Sequence, residues 1–186
     1  MLQNEKVSRF QLLRGALRGS SSAVRAPFSL PEDGFTEACT RKGACIAACP
    51  ERILVRGPGT FPEIDFAHGE CTFCFDCVEA CGSGALSKSS LALWQADPST
   101  CSPLPYKAVI GEACLSSNGV TCRVCGDICE TRAIKFQLAI GGKAFPSVDL
   151  TACNGCGACK APCPVNVISL IPSESSERLT QMEEEA

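Results

Sequence analysis

The chain has 186 residues, sixteen of them cysteine, and a net charge of −3. Cysteine at this density is typical of a secreted disulfide scaffold or of a metal protein, and the small net charge favours neither a nucleic-acid partner nor an acidic substrate. Aromatic residues make up only 6% of the chain, so we expect a small apolar core. Metal ligation is then expected to stabilise the fold, because the free energy of ligation contributes to folding.

The beginning of the chain favours a reducing compartment. Residues 1–30 contain no apolar run of signal-peptide length and no adjacent arginine pair, as a secretory or twin-arginine signal would require. No segment approaches the about 20 apolar residues of a membrane span. We therefore expect a cytoplasmic protein without a membrane span, whose reduced thiols are free to bind metal.

Residues 1–34 are predicted to form a basic amphipathic arm and a linker. Phe10, Leu13 and Leu17 share one face of a short helix, and in residues 1–30 Glu5 is the only acidic residue. The arm has three interpretations: a docking helix for a partner protein, a solvated tail, or an organelle transit peptide. Its basic side chains are Lys6, Arg9, Arg14, Arg18 and Arg25.

The rest of the chain is predicted to hold two cysteine-rich modules. The segments are a first module over 35–87, a proline-containing connector over 88–109, a second module over 110–172 and a solvated acidic tail over 173–186. Short strands are expected in each module, at residues 53–55 and 62–65 in the first and at 133–136 and 145–149 in the second.

A repeated motif links the two modules. Phe61-Pro62-x-Ile64-Asp65 precedes one cysteine run, and Phe145-Pro146-x-Val148-Asp149 precedes another. The repetition indicates an internal duplication. The expected fold class is α+β, with two tandem bacterial-ferredoxin-like modules that hold two clusters each, preceded by the basic arm.

Four cysteine runs carry the chemistry. They are Cys39-x5-Cys45-x3-Cys49-Pro50, Cys71-x2-Cys74-x2-Cys77-x3-Cys81, Cys114-x7-Cys122-x2-Cys125-x3-Cys129 and Cys153-x2-Cys156-x2-Cys159-x3-Cys163-Pro164. The second and fourth have the bacterial ferredoxin spacing, in which three cysteines bind one [4Fe–4S] cluster and the fourth binds the other cluster of the module. A zinc site would instead place cysteine pairs across a longer loop.

Crossed ligation of this kind predicts three complete [4Fe–4S] sites. Their ligands are Cys49, Cys71, Cys74 and Cys77; Cys129, Cys153, Cys156 and Cys159; and Cys114, Cys122, Cys125 and Cys163.

A fourth site, formed by Cys39, Cys45 and Cys81, lacks one ligand. Lys42 stands where the regular spacing has cysteine, and its amine is protonated near neutral pH. Three outcomes are open: a [3Fe–4S] cluster, a [4Fe–4S] cluster with a non-protein or distant ligand, or an empty site. Cys101, outside the runs, is either that distant ligand or an unliganded connector thiol. Our hypothesis is a three-iron or labile cluster.

The order of the runs resembles that of the NapF family, ferredoxin-type proteins of bacterial periplasmic nitrate reductase systems. The specific features are the third run, with Cys122-Arg123-x-Cys125-Gly126, and the segment Ser8-Arg9-x3-Leu13. The resemblance implies a cytoplasmic accessory protein that acts on the catalytic molybdenum subunit of nitrate reductase before export, in maturation or cluster loading. That subunit would be the partner, docked through the arm. Lys42 departs from the family's pattern.

Two other functions compete with maturation. Clusters in series would suit an electron carrier or the electron-transfer subunit of an oxidoreductase, and an incomplete site would suit a redox or oxygen sensor. The sequence has no nucleophile–base set, phosphate loop or dinucleotide fingerprint, so we expect no catalytic residues and no enzyme activity.

A few other side chains carry expectations. His68, before the second run, is expected to be packed or solvent-facing rather than a cluster-tuning group. Trp94 and Tyr106 are expected to anchor the connector by packing. Apolar neighbours of the cysteines are expected to shield the clusters from water, namely Phe73, Phe75, Ile128 and Val165.

Overall fold

The computed structural model of the protein describes residues 23–67, 69–141 and 143–173. The predicted arm helix, His68 and nearly all of the predicted acidic tail lie outside these residues. Within the described ranges, no helix has the length and apolar character that crossing a bilayer requires.

The described chain is a mixed α and β structure of short elements. In chain order these are α1 Glu32–Ala38, α2 Ala44–Ala48, β1 Leu54–Arg56, a 3-10 turn Pro58–Thr60, β2 Pro62–Ile64, α3 Asp76–Glu79, α4 Lys88–Ala96, β3 Tyr106–Ile110, α5 Val124–Asp127, β4 Ile134–Leu138, β5 Ala144–Val148 and β6 Ile168–Pro172.

Two antiparallel hairpins precede the second and fourth cysteine runs. Strand β1 pairs with β2, so that Leu54 lies opposite Ile64. Strand β4 pairs with β5, so that Ile134 lies opposite Val148. All four strands were expected from the sequence, and their ends differ from the predicted ones by one or two residues, which is ordinary for strand boundaries.

A third strand pair closes the second half of the chain. Strand β3 runs antiparallel to β6, with Tyr106 opposite Pro172. The sequence had placed Tyr106 in the connector over 88–109, and α4 also forms inside that segment. Prolines at 103 and 105 indicated irregular chain there, but the alternation of buried and less buried residues along β3 is that of a half-buried strand.

In the first half of the chain, the segment before the cysteine runs likewise pairs with the segment after them, but over fewer residues. Ser29 and Leu86 form an isolated antiparallel bridge, and Leu30 N–H donates to the Ala85 carbonyl at 3.0 Å beside it. Residues 26–30, predicted to be linker, are therefore hydrogen-bonded into the first half.

Arg25 was predicted to belong to the basic arm, but the structure buries it between other elements. Only 8% of this residue is exposed, and its guanidinium donates to the Glu32 carboxylate and, at 2.8 Å, to the Pro62 carbonyl. The guanidinium also lies 4.6 Å from the ring centre of Phe35, within cation–π range. The sequence analysis counted Arg25 only among the basic side chains of the arm, because its acceptors, Glu32 and Pro62, belong to later elements of the chain.

The two halves of the chain pack against each other. The Tyr106 hydroxyl accepts a hydrogen bond from Arg25 N–H at 3.1 Å and donates one to the Ala23 carbonyl at 3.2 Å. Burial raises the pKa of Tyr106, so the hydroxyl stays neutral and can donate. Cys71 N–H donates to the Cys156 carbonyl at 2.9 Å, and one apolar core includes residues of both halves.

Trp94 packs as the sequence predicted. Its ring lies 5.0 Å from that of Phe75 in an edge-on arrangement and 6.3 Å from that of Phe28. The connector helix α4 is thereby held against the second cysteine run.

Replacing Tyr106 by phenylalanine should weaken the contact between the halves. The Tyr106→Phe variant leaves Arg25 N–H buried without its acceptor, so we expect the free energy of unfolding to fall by about 1–3 kcal/mol. Anaerobic urea unfolding followed by circular dichroism measures this. Lys135→Gln, which removes a solvent-exposed ion pair with Asp149, is the control and should leave the midpoint unchanged. Equal midpoints for Tyr106→Phe and wild type would show that the hydroxyl does not join the halves.

Candidate metal centre

The structure places the cysteines in four groups, three of which draw on two runs, and the first group is the incomplete one. Burial raises the pKa of the Cys45 thiol, and the neighbouring Cys81 and Cys39 thiols raise it further. Cys39 and Cys45 belong to the first run and Cys81 ends the second. These three cysteines, called group I, therefore lie close enough to interact.

Group II consists of Cys49, Cys71, Cys74 and Cys77. All four line one cavity, whose walls are otherwise largely apolar. Burial raises the pKa of Cys77 to about 12, and the charges of Cys71, Cys74 and Cys49 add to the effect. Four thiols thus surround a common space without a counter-charge of their own.

Group III joins the fourth run to the end of the third. Burial raises the pKa of Cys159 to about 12, with contributions from Cys156 and Cys153. Burial also raises the pKa of Cys156, on which Cys129 acts electrostatically. Cys129, Cys153, Cys156 and Cys159 are therefore neighbours.

Group IV gathers the first three cysteines of the third run. Burial raises the pKa of Cys125 to about 11, and the Cys114 and Cys122 thiols raise it further. Cys114 is buried although seven residues separate it from Cys122. Cys163 is half-buried at the end of the fourth run, and its membership of this group stays a prediction.

The groups follow one another in a row, I to IV. Each step is an electrostatic interaction between thiols of adjacent groups. The interacting pairs are Cys45 with Cys77, Cys71 with Cys156, and Cys125 with Cys159. Cys101 is exposed, and its thiol accepts a hydrogen bond from Thr100 at 3.8 Å.

The chemistry of the donors fits iron–sulfur clusters. Thiolates bind iron, and thiols with raised pKa values ionise only when a nearby positive charge compensates them, which bound iron supplies. In residues 23–67, 69–141 and 143–173 no three cysteine, histidine or acidic side chains converge on a single ion. Cluster ligands bind different irons and stand around a volume instead, as the four cysteines of group II do.

The loops of the second and fourth runs share an unusual backbone. Phe73 and Phe75 have φ of 54° and 63°, and Gly155 and Gly157 occupy the same two places in the fourth run with φ of 76° and 82°. Glycine adopts this left-handed conformation freely, whereas other residues pay about 1–2 kcal/mol. At Gly157 glycine is also needed for space, since an added Cβ would clash with the Phe66 ring.

The incomplete first run adopts the same loop. Arg41 and Gly43 have φ of 57° and 79°, in the places of the two left-handed residues of the other loops. Lys42 therefore occupies the structural position of Cys74 and Cys156, as its place in the sequence spacing had predicted. The first run keeps the cluster-binding backbone although it has lost this ligand.

All four runs also end alike. The third residue after each final cysteine is left-handed; these residues are Arg52, Gly84, Arg132 and Asn166. Sequence reasoning missed this feature because only one of the four is glycine. The turn redirects the chain after the last cysteine of each run.

Two of the final cysteines form hydrogen bonds through sulfur. Leu86 N–H donates to Cys81 Sγ at 3.4 Å, and Thr131 Oγ1 lies 3.5 Å from Cys129 Sγ. Burial opposes ionisation of both thiols, but these hydrogen bonds and others nearby lower both pKa values. A hydroxyl two residues after the cysteine, Ser83 or Thr131, is the sequence signal that was overlooked.

The aspartates of the repeated motif organise the chain that enters each run. Asp65 Oδ1 accepts from Ala67 N–H at 2.9 Å. Asp149 Oδ1 accepts from the Thr151 hydroxyl and from the Thr151 and Ala152 N–H groups, and these bonds hold the pKa of Asp149 at about 2. Both turns are Asx turns, in which the side chain replaces a backbone acceptor.

The predicted apolar shield is only partly present. Phe75 is 8% exposed and packs beside group II, with Phe73 next to it at 6.3 Å. Ile128 and Val165 are 43% and 39% exposed, so part of each side chain faces solvent, and their place in the shield stays a prediction. Both sit in short turns whose outer side faces solvent.

Gly157→Ala should disrupt cluster binding at group III. The variant combines a left-handed alanine with a clash against Phe66, a side chain that is 1% exposed and cannot retreat. We expect the loss of about four irons per chain in anaerobically prepared protein, measured as iron and acid-labile sulfide. Gly141→Ala is the matched control, because Gly141 has the same φ of 82° with open space around it. Equal iron contents in the two variants would contradict the packing argument.

Comparisons with known proteins agree with this chemistry. Residues 146–169, which contain the whole fourth run, match the family model described as a 4Fe-4S binding domain. No solved structure matches the chain.

Similar chains are found among ferredoxin-type proteins. The chain is 40% identical over 162 residues to the ferredoxin-type protein NapF of Escherichia coli, a match that covers 87% of this chain and 93% of the relative. It is 38% identical over 183 residues to NapF of Haemophilus influenzae, covering 93% and 98%. It is 32% identical over 178 residues to the methylamine utilization ferredoxin-type protein MauM of Methylorubrum extorquens, covering 87% and 78%. The chain belongs to the NapF family of ferredoxin-type iron–sulfur proteins.

Proposed function

We propose that this protein is a cytoplasmic accessory protein that assists maturation of the catalytic subunit of periplasmic nitrate reductase before export. The observation that carries the proposal is the row of four cysteine groups in a chain of the NapF family. Identity, and the share of the relative that is covered, are higher for NapF of Escherichia coli than for MauM of Methylorubrum extorquens, which favours the nitrate reductase system. The partner is a protein, with no nucleic acid and no catalysis by this chain.

The cysteine groups are proposed to be the cluster sites of two dicluster modules. Groups II and III each hold a [4Fe–4S] cluster, and group IV holds a third with Cys163 as its fourth ligand. Group I holds a three-iron or labile cluster, and Cys101 stays unliganded. A bound cluster stores or releases one electron at a potential set by burial and by hydrogen bonds to sulfur.

This chain's own residues would tune those potentials differently. The N–H of Leu86 favours the charged form of Cys81 in group I, and Thr131 does so for Cys129 in group III. Group II lies in a largely apolar cavity, where added negative charge is disfavoured. The groups of the row thus differ in polarity, so the potentials of their clusters should differ as well.

The row also favours a second candidate, a simple electron-transfer protein or subunit. Neighbouring groups interact throughout the row, as electron transfer between clusters requires. In the maturation role the same row would serve a redox step on the catalytic subunit, or its clusters would be the material that is loaded. A sensor, the third function, would draw only on the incomplete group I.

Deletion of the gene from its host separates the first two candidates. Maturation predicts nitrate reductase catalytic subunit that is inactive and poor in cofactor, because the defect arises during assembly. Purified subunit is assayed with an artificial electron donor, and its iron and molybdenum contents are measured. Complementation with Cys71→Ser should fail, whereas Cys101→Ser, at an exposed cysteine outside the runs, should restore the enzyme.

The opposite result would support the carrier. In that case the catalytic subunit would have its full cofactor content and normal activity with the artificial donor, but the cells would reduce nitrate slowly. This result would contradict the maturation role. If deletion changed neither the cofactor content and activity of the catalytic subunit nor the rate of nitrate reduction in cells, both candidate functions would be contradicted.

A further inference from the structure

Lys42 occupies a ligand position of group I. The loop of the first run has left-handed residues at the same two positions as the loops of the second and fourth runs. The missing ligand position of group I therefore corresponds to that of Cys74 in the second run. Both Lys42 and Cys74 are exposed. An iron held by group I would therefore have its fourth coordination position facing solvent.

Two arginines lie against the loop that carries Lys42. The Arg56 guanidinium lies directly over the loop, since a Cβ built on Gly43 would be 2.6 Å from Arg56 Nη2. Arg56 Nη1 donates to the Arg41 carbonyl at 3.1 Å. Arg41 in turn stacks 4.8 Å from the ring centre of Phe61 and reaches the Gly59 carbonyl at 3.4 Å. Both arginines are thus fixed next to Lys42.

These cations have no anionic partner in the part of the chain that the structure describes. The ion pairs there involve Arg25, Lys88 and Lys135, and not the three basic residues of the first loop. At the position of Arg41 the second and fourth runs have Phe73 and Gly155, which carry no charge. Three basic residues thus lie on or against the loop that lacks a ligand.

We propose that the open position beside Lys42 binds a small anionic thiolate from solution. The thiolate sulfur donates an electron pair to the fourth iron and displaces solvent, and no electron is transferred. Sulfur suits iron that already has cysteine and sulfide ligands, and the three cations favour a ligand that carries additional negative charge. This inference rests on the proposed assignment of a cluster to group I, in its labile four-iron form and not in its three-iron form, which has no iron at this position.

Thiols of different charge provide the test. Mercaptoacetate is anionic, 2-mercaptoethanol neutral and cysteamine cationic, and each is titrated into the anaerobically reconstituted, dithionite-reduced full chain. Electron paramagnetic resonance follows the signal of group I. We expect mercaptoacetate to bind most tightly and cysteamine least, with differences that shrink as salt screens the charges.

Variants identify the position. Lys42→Gln should weaken mercaptoacetate binding about two- to fivefold and leave 2-mercaptoethanol unchanged, whereas Lys143→Gln, at an exposed lysine outside the cysteine runs, should change neither. Lys42→Cys should supply the ligand from the chain and abolish the response to all three thiols. The signals of the other clusters report whether this variant folds, and Lys42→Gln keeps the test valid if it does not.

Iron content distinguishes failure of this inference from failure of the cluster assignment. About 16 irons per chain with a signal that no thiol alters would overturn the open position and leave a cluster at group I. About 12 irons, with no group I signal even after reconstitution, would overturn the assignment itself. Equal affinity for the three thiols would overturn the role of the cations.

Discussion

Burial of several thiols beside one another is the constraint on which this structure depends. Burial and the charges of neighbouring cysteines raise the pKa of Cys71 to about 11 and those of Cys77 and Cys159 to about 12. Without a counter-charge these groups stay protonated and contribute only as small apolar side chains. Bound iron reverses the situation, because it makes the thiolate the favoured form and links distant parts of the chain through one cluster.

The backbone is organised to bring those thiols together. The first, second and fourth runs have left-handed residues at the same two places of the loop, and a further left-handed residue follows each of the four runs. The fourth run uses glycine, which costs little, while the second uses Phe73 and Phe75 and gains apolar walls for group II in return for strain. The preceding hairpins and Asx turns set the direction in which the chain enters these loops. The small apolar core therefore serves to position the loops, and cluster ligation supplies part of the stability of the fold.

Much of this arrangement could be predicted from the sequence, because cluster ligation fixes cysteine spacing and the hairpin strands have clear β-type residues. The grouping of Cys81 with Cys39, and of Cys129 with Cys156, follows from the same spacing rule. What sequence reasoning missed depends on long-range partners. Arg25 is buried by acceptors from other elements, and β3 is a strand because β6, some sixty residues later, pairs with it. Left-handed arginines have no local signature at all.

The central claim is that the cysteine groups form a row of iron–sulfur clusters with ligands crossed between runs. Anomalous diffraction at the iron absorption edge, from crystals grown without oxygen, tests it most directly. The account predicts cubane-sized iron peaks within groups II, III and IV, with Cys163 bound to the iron of group IV, and a further peak at group I. Single-metal peaks, or a cluster whose four cysteines all come from one run, would contradict it.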